Sequence, residues 1–262
     1  MSEHLRQIGS YLGHLVKSRT RHGVHSPFVY ELISQVLRPS DPVEKAAPLE
    51  RLREDLMRSA QTIRVNDLGA GSKMFDLPIR RVSDIARNSA KQPKHAQMLF
   101  RLARYFRPAE VVELGTSFGI STLYMALGAD EGRVHTIEGC PQTARIAQHH
   151  FELLDRKNIV PVLGSFRVRL PEVLQKIGRL DMAFIDGHHA KEPTLDYFKQ
   201  CLGRSHNDTV IVLDDIHWSK GMEAAWEEIK AMPEVTVTID IYQMGIVFLR
   251  KEQSKEHFVL RY

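Results

Sequence analysis

From Lys94 to about Arg250 the chain alternates short β-branched runs with amphipathic helical segments, and no other feature restricts its fold as much. Parallel strands need a crossover of a dozen or more residues, usually a helix, so this alternation predicts a parallel sheet with helices on both faces. The runs read as strands are 110–114, 133–138, 159–163, 181–186, 209–214, 235–240 and 245–250. Only Ile241-Tyr242-Gln243-Met244 separates the last two. That is too short for a crossover, so the pair must be antiparallel. The expected fold is α/β: a doubly wound, seven-stranded sheet with its last strand antiparallel.

A chain of 262 residues accommodates one such domain with an appendage. Ahead of the alternation, apolar positions at helical spacing (Leu5, Ile8, Leu12 and Leu15, then Phe28, Leu32, Ile33 and Val36) predict two helices. Ser26 before Pro27 suits an N-cap followed by a first-turn proline. Residues 38–49, rich in proline and charge, read as a linker. The expected division is an N-terminal helical extension or lid over 1–92, a main domain over 93–252 and a tail over 253–262.

Hydrophobic residues at 43% and charged residues at 26% exclude disordered and membrane-embedded classes. With no run of about eighteen apolar residues and no signal-peptide pattern, the expectation is a cytoplasmic protein without membrane association. Cys140 and Cys201 lie far apart, which argues against a disulfide framework or a zinc ribbon. The net charge of +4 comes from interspersed charges, so a nucleic-acid partner is not favoured, although Arg6, Lys17, Arg19 and Arg21 make a locally basic start. A homodimer stays open.

The segment Glu113-Leu114-Gly115-Thr116-Ser117-Phe118-Gly119-Ile120-Ser121 runs from an apolar strand through a tight turn into a helix. In open α/β sheets ligands sit beyond the carboxyl ends of strands, where glycine admits close backbone approach and a helix N-terminus presents unpaired N–H groups. Glu138 closes the next strand, where an acid can accept bonds from both hydroxyls of a ribose. A strand-to-helix turn also needs glycine for sterics alone. The order of strand, turn, helix, strand and terminal acid favours a nucleoside cofactor over that plainer reading.

The turn Glu-Leu-Gly-x-x-x-Gly-x-Ser, with Ser117 where a Gly-x-Gly-x-Gly motif has its middle glycine, resembles the class I S-adenosylmethionine-dependent O-methyltransferases of the catechol and caffeoyl-coenzyme A type. The resemblance covers about residues 94–250 and implies their Rossmann-like fold and S-adenosyl-L-methionine as cofactor. Carried over by position, it implies that Glu113, Gly115, Thr116, Ser117, Phe118, Gly119 and Ser121 shape the methionine end of the site. Glu138 and Gly139 would meet the ribose, and Gly164, Ser165 and Phe166 would border the adenine, with Asp186 also on the cofactor side. A second glycine-containing word at 65–72 looks like the same motif but lacks a following strand ending in an acid, so it reads as a structural turn or a lid. Together with the word at 22–28 it resembles an uncharacterised set of bacterial methyltransferases.

The fourth strand ends in Asp186-Gly187-His188-His189 and the fifth in Asp214-Asp215-Ile216-His217. Carboxylates crowded at one rim repel one another unless a cation or a positively charged substrate is present, and Mg²⁺ or another hard divalent cation would take their oxygens. The resemblance implies the same metal-binding positions, Asp186, Asp214 and Asp215. The last departs from the family's asparagine. An aspartate there also caps the following helix in the plainer reading. The family's catalytic lysine falls at His189, whose unperturbed pKa of about 6.5 suits it to accept a proton; Lys191 is the weaker candidate. Phe118, Trp218 and Tyr242 are candidate pocket walls.

The resulting expectation is methyl transfer to an oxygen of a small-molecule substrate. Two alternatives remain: an NAD-dependent oxidoreductase, which Glu138 would suit equally well, and a non-catalytic nucleoside- or RNA-binding module using the basic start.

Overall fold

The computed structural model describes residues 3–20, 23–37, 43–65 and 79–262. The glycine-containing word expected as a turn or lid lies, beyond Val65, outside the described residues. The chain forms two compact units, one comprising Met1–Pro39 with Gly178–Tyr262 and the other Ser40–Ile177.

Two N-terminal helices form as expected. The first, α1 (Glu3–Lys17), turns its polar side to its own unit, and Leu5, Ile8 and Leu12 stay more than half exposed. Inward-facing Arg6 and Ser10 bond Glu223, and His14 is buried beside Asp240. Helix α2 (Pro27–Leu32) starts at Ser26, whose hydroxyl accepts from the Val29 amide at 3.4 Å, and runs into a π-helical turn, Ile33–Leu37.

In the unit Ser40–Ile177, the stretch expected as linker to residue 49 is helical from its middle onward. A 3-10 turn, Glu44–Ala46, leads into α3 (Ala47–Arg58). Pro48 occupies the first turn, where its missing N–H costs nothing, while Leu49, Leu52 and Leu56 form one buried stripe. Pro48, one of the prolines that suggested a linker, belongs to a helix start. A short antiparallel pair, β1 (Thr62–Arg64) and β2 (Ile79–Arg81), precedes α4 (Val82–Ser89) and α5 (Pro93–Phe106).

Next come β3 (Glu110–Leu114), α6 (Ile120–Ala129), β4 (Arg133–Glu138), α7 (Pro141–Leu153), β5 (Ile159–Leu163) and α8 (Phe166–Ile177). The three strands have the expected bounds and pair in parallel, with Leu114 opposite Ile137 and Glu138 opposite Leu163. Every residue of α6 is buried. A Cβ on its Gly128 would lie 2.3 Å from the Phe100 carbonyl oxygen, so the α5–α6 crossing is close because that position has no side chain.

The remainder of the other unit contains β6 (Leu180–Ile185), α9 (Lys191–Leu202), β7 (Ser205–Asp214), α10 (Lys220–Ala231), β8 (Val237–Asp240), β9 (Met244–Phe248) and β10 (Glu256–Val259). Strands β6 and β7 are parallel, and β9 runs antiparallel to both β7 and β8, as the four-residue connection requires. Two expectations are corrected. The strand count from β3 onward is eight rather than seven, and the last strand is parallel: β10 lies along β8 within the segment expected to be a tail, with Phe258 opposite Ile239 and 2% exposed. Lys255 before it and the exposed Glu256 and His257 within it guard an edge strand that buries little more than one side chain. The expected α/β, Rossmann-like class holds.

Candidate active site

The carboxyl end of β3 delivers a turn in which Gly115, Ser117 and Gly119 all have positive φ, at 98°, 48° and 84°. Ser117 therefore carries a side chain in the left-handed region, at a cost of about 1 kcal/mol relative to glycine. Its hydroxyl lies 2.8 Å from that of Ser89 on α4, a bond of about 1 kcal/mol that offsets the strain. The Gly115 amide donates to Ile137 O at 3.0 Å, and the Gly119 amide to Thr116 O at 2.8 Å.

Glu138, at the end of β4, is held beside this turn by two amides. Oε2 accepts from Ser117 N and Oε1 from Cys140 N, each at 2.9 Å. The half-buried carboxylate is thereby fixed beside the turn. The Glu138 carbonyl in turn accepts from Gly164 N at 2.9 Å, and Ser165 O receives the first amide bonds of α8. The structure thus brings the predicted turn, Glu138 and Gly164-Ser165-Phe166 together within one unit, with Gly139 half-buried among them. A cavity of about 270 Å³ lies between α7 and β4–β5, bounded by Thr116, Glu138, Pro141, Arg145, Val162 and Leu163.

Beneath the turn, Glu113 is fully buried and ringed by hydroxyls. Oε1 accepts from Ser121 Oγ at 2.6 Å; Oε2 accepts from Thr136 Oγ1 at 2.6 Å and from Thr122. Thr136 spends its one proton on Glu113, so Thr116 must donate across the 2.5 Å contact between their hydroxyls. Glu113 and Ser121, both expected at the ligand, are joined to each other. Their visible effect is to pin the start of α6.

Phe118, a candidate pocket wall, is 2% exposed and belongs to the core. Its carbonyl accepts from His150 Nδ1 at 2.9 Å; burial lowers the His150 pKa and outweighs the opposing effect of that bond. Sequence reasoning missed His150, Ser89 and Thr136 because their partners are at least twenty residues away and no local pattern marks them. His150 also borders a second hollow of about 370 Å³, lined by Leu52, Asp55, Ser59, Arg145 and His149.

In the other unit, the tips of β6 and β7 carry the remaining candidates. His189 links two of the carboxylates: Nε2 is 3.7 Å from Asp186 Oδ1 and Nδ1 is 3.7 Å from Asp215 Oδ2. His188, His189 and Asp215 all have positive φ, at 62°, 36° and 54°. Such concentrated backbone strain typically accompanies functional loops. His188 Nδ1 is 2.9 Å from Tyr197 OH. Asp214 is 2% exposed, whereas Asp186 and Asp215 are half-buried; all three are oxygen donors of the kind a hard cation takes, but among the described residues they do not bring three ligand atoms within 4.8 Å of one another. Trp218 is 47% exposed; Tyr242 stacks on His217 and donates its hydroxyl to Gln7 O at 2.9 Å.

The family model described as "Methyltransferase domain" matches residues 112–216, which spans the candidates from Glu113 to Asp215 but not Trp218 or Tyr242. Among curated proteins, the chain is 32% identical over 127 residues to a catechol O-methyltransferase of Niastella koreensis, covering 47% of this chain and 57% of that one. It is 31% identical over 148 residues to a catechol O-methyltransferase of Mycobacterium tuberculosis, covering 55% and 63%. The chain thus matches less than two thirds of the length of these relatives. Among solved structures, the O-methyltransferase of Bacillus cereus in complex with SAH is similar in fold, with a TM-score of 0.55, 20% identity and coverage of 84% of this chain and 97% of that one. Among the described residues, no helix is long and apolar enough to cross a membrane.

Proposed function

Starting from a chain whose residues 112–216 match a methyltransferase domain, we propose that the protein transfers the sulfonium methyl group of S-adenosyl-L-methionine to an oxygen of a small molecule. The observation that carries this reading is the fixing of Glu138 by the Ser117 and Cys140 amides, beside a turn with three left-handed residues. An acid so placed accepts from a ribose diol without reorganising, and the bend of the turn leaves room for the methionine end of the donor. Gly164, Ser165 and Phe166, tied to Glu138 through the Gly164 amide, border the adenine. The family match and the catechol O-methyltransferase relatives favour this reading over the nicotinamide and RNA-binding alternatives.

In the reaction the carbon–sulfur bond breaks as the carbon–oxygen bond forms, giving S-adenosylhomocysteine and a methyl ether. The acceptor's proton goes to His189, which Asp186 and Asp215 flank at 3.7 Å each. Asp186, Asp214 and Asp215 would hold a hard divalent cation such as Mg²⁺, which when bound lowers the pKa of an acceptor hydroxyl. Positioning does most of the remaining work, since methyl transfer needs no covalent help from the protein.

Calorimetric titration tests the reading. S-adenosylmethionine should bind and NAD should not, and Glu138→Ala should weaken binding by at least about tenfold through loss of two charge-assisted bonds. Saturation by NAD with no heat from S-adenosylmethionine overturns the proposal.

A further inference from the structure

Apart from the carboxylates at the tips of β6 and β7, the unit formed by Met1–Pro39 and Gly178–Tyr262 contains a second group of ligand-type side chains. His14 from α1, His217 from the loop after β7 and Asp240 at the end of β8 each offer a donor atom, and the three atoms lie within 4.8 Å of one another. His14 and Asp240 are 6% and 7% exposed, so this is a buried polar cluster that must be satisfied internally.

The hydrogen-bond directions point to what satisfies it. His14 Nε2 lies 3.2 Å from the Leu260 carbonyl, which only accepts, so Nε2 carries the proton. The buried Nδ1 of the same ring makes no hydrogen bond, yet it sits 3.2 Å from Asp240 Oδ1. Two ligands of a tetrahedral zinc-class ion at about 2.0 to 2.1 Å would stand about 3.3 Å apart, close to this separation. His217 differs: its Nε2 is hydrogen-bonded to Asp240 Oδ2 at 2.8 Å, carrying a proton that an ion would displace, and its Nδ1 makes no hydrogen bond and lies 3.6 Å from Glu223 Oε1. Seating an ion would part the first pair by about half an ångström. The Tyr242 amide holds Asp240 Oδ1 at 2.8 Å, and Arg6 and Ser10 hold Glu223. Ligating histidines commonly direct their second ring nitrogen at a backbone carbonyl or a carboxylate; His14 does so through Nε2 to the Leu260 carbonyl, and a proton moved to His217 Nδ1 would face Glu223.

We propose that His14 through Nδ1, His217 through Nε2 and Asp240 through its carboxylate ligate one zinc-class divalent cation, which fastens α1 to β8 and to the loop after β7. The site is distinct from the Asp186, Asp214 and Asp215 positions, and its imidazole nitrogens select a borderline metal where those oxygens select a hard one. It also explains how α1 docks by its polar side with Leu5, Ile8 and Leu12 left outside. Water completes the coordination.

Cobalt(II) is the probe. One equivalent added to the metal-free chain should produce the intense visible bands of a low-coordinate nitrogen–oxygen site, removed by excess Zn²⁺ but not by Mg²⁺. The bands should vanish in His14→Ala and persist in Asp186→Asn, and Glu223→Gln should weaken binding about tenfold or more. Weak octahedral bands, or bands indifferent to His14→Ala, overturn the proposal. Because His14→Ala also removes the contact of α1 with the Leu260 carbonyl, zinc-edge anomalous diffraction from the unaltered protein gives an independent reading. A peak between His14, His217 and Asp240 supports the site, and a peak elsewhere or none overturns it.

Discussion

Gly119 closes the turn and opens α6, and Gly119→Ala separates two costs that the structure specifies. At φ 84° an L side chain is strained by about 1 to 2 kcal/mol. The new methyl would also lie 2.4 Å from Phe151 Cε1 and 2.8 Å from Cζ, a collision with a side chain only 4% exposed. Overpacking of that kind costs about 1 to 3 kcal/mol, so the total expected loss is about 2 to 5 kcal/mol. The measurement is urea unfolding of the wild type, Gly119→Ala, Phe151→Ala and the double variant. Phe151→Ala alone should cost about 3 to 5 kcal/mol by leaving a cavity. In the pair, the cavity receives the methyl, so the coupling energy should recover about 1 to 3 kcal/mol while the backbone strain remains. Affinity for S-adenosylmethionine should fall in Gly119→Ala and recover partly in the double variant. A loss below about 1 kcal/mol, or additive single effects, would refute the steric reasoning.

Ser117→Gly should change stability by less than about 1 kcal/mol in the same assay, because relief of φ 48° is offset by loss of the Ser89 contact. Glu113→Ala should destabilise by about 3 kcal/mol or more, since it strands the buried hydroxyls of Ser121, Thr122 and Thr136. Burial, with Lys94 and Lys91 adding to it, lowers the His95 pKa from 6.5 to about 4. The unfolded chain therefore takes up the proton first as pH falls: the stabilisation is complete above about pH 6.5 and about 3 kcal/mol of it drains away by about pH 4, visible as a falling urea midpoint that His95→Gln flattens. If Asp186, Asp214 and Asp215 hold the proposed cation, chelation should abolish methyl transfer while S-adenosylmethionine still binds; full turnover in chelator would assign those residues to loop structure alone.

The sequence alone determined whatever depends on near neighbours. β-branched runs at crossover spacing specified β3 to β9 and their order, because strand period and connection length are local quantities. Four residues between β8 and β9 were enough to make that pair antiparallel. The turn after β3 was legible for the same reason: Gly115, Gly119 and Glu138 lie at fixed distances along consecutive elements. The tertiary structure decided what depends on partners remote in the chain. Strand β10 exists because β8 presents an edge to it, and α1 faces inward by its polar side because Glu223 and Asp240 wait more than two hundred residues away. Hydrogen bonds and buried charges are paid for by geometry rather than by spacing, so Glu113 with its hydroxyls and His14 with Asp240 became visible only once the chain had folded around them.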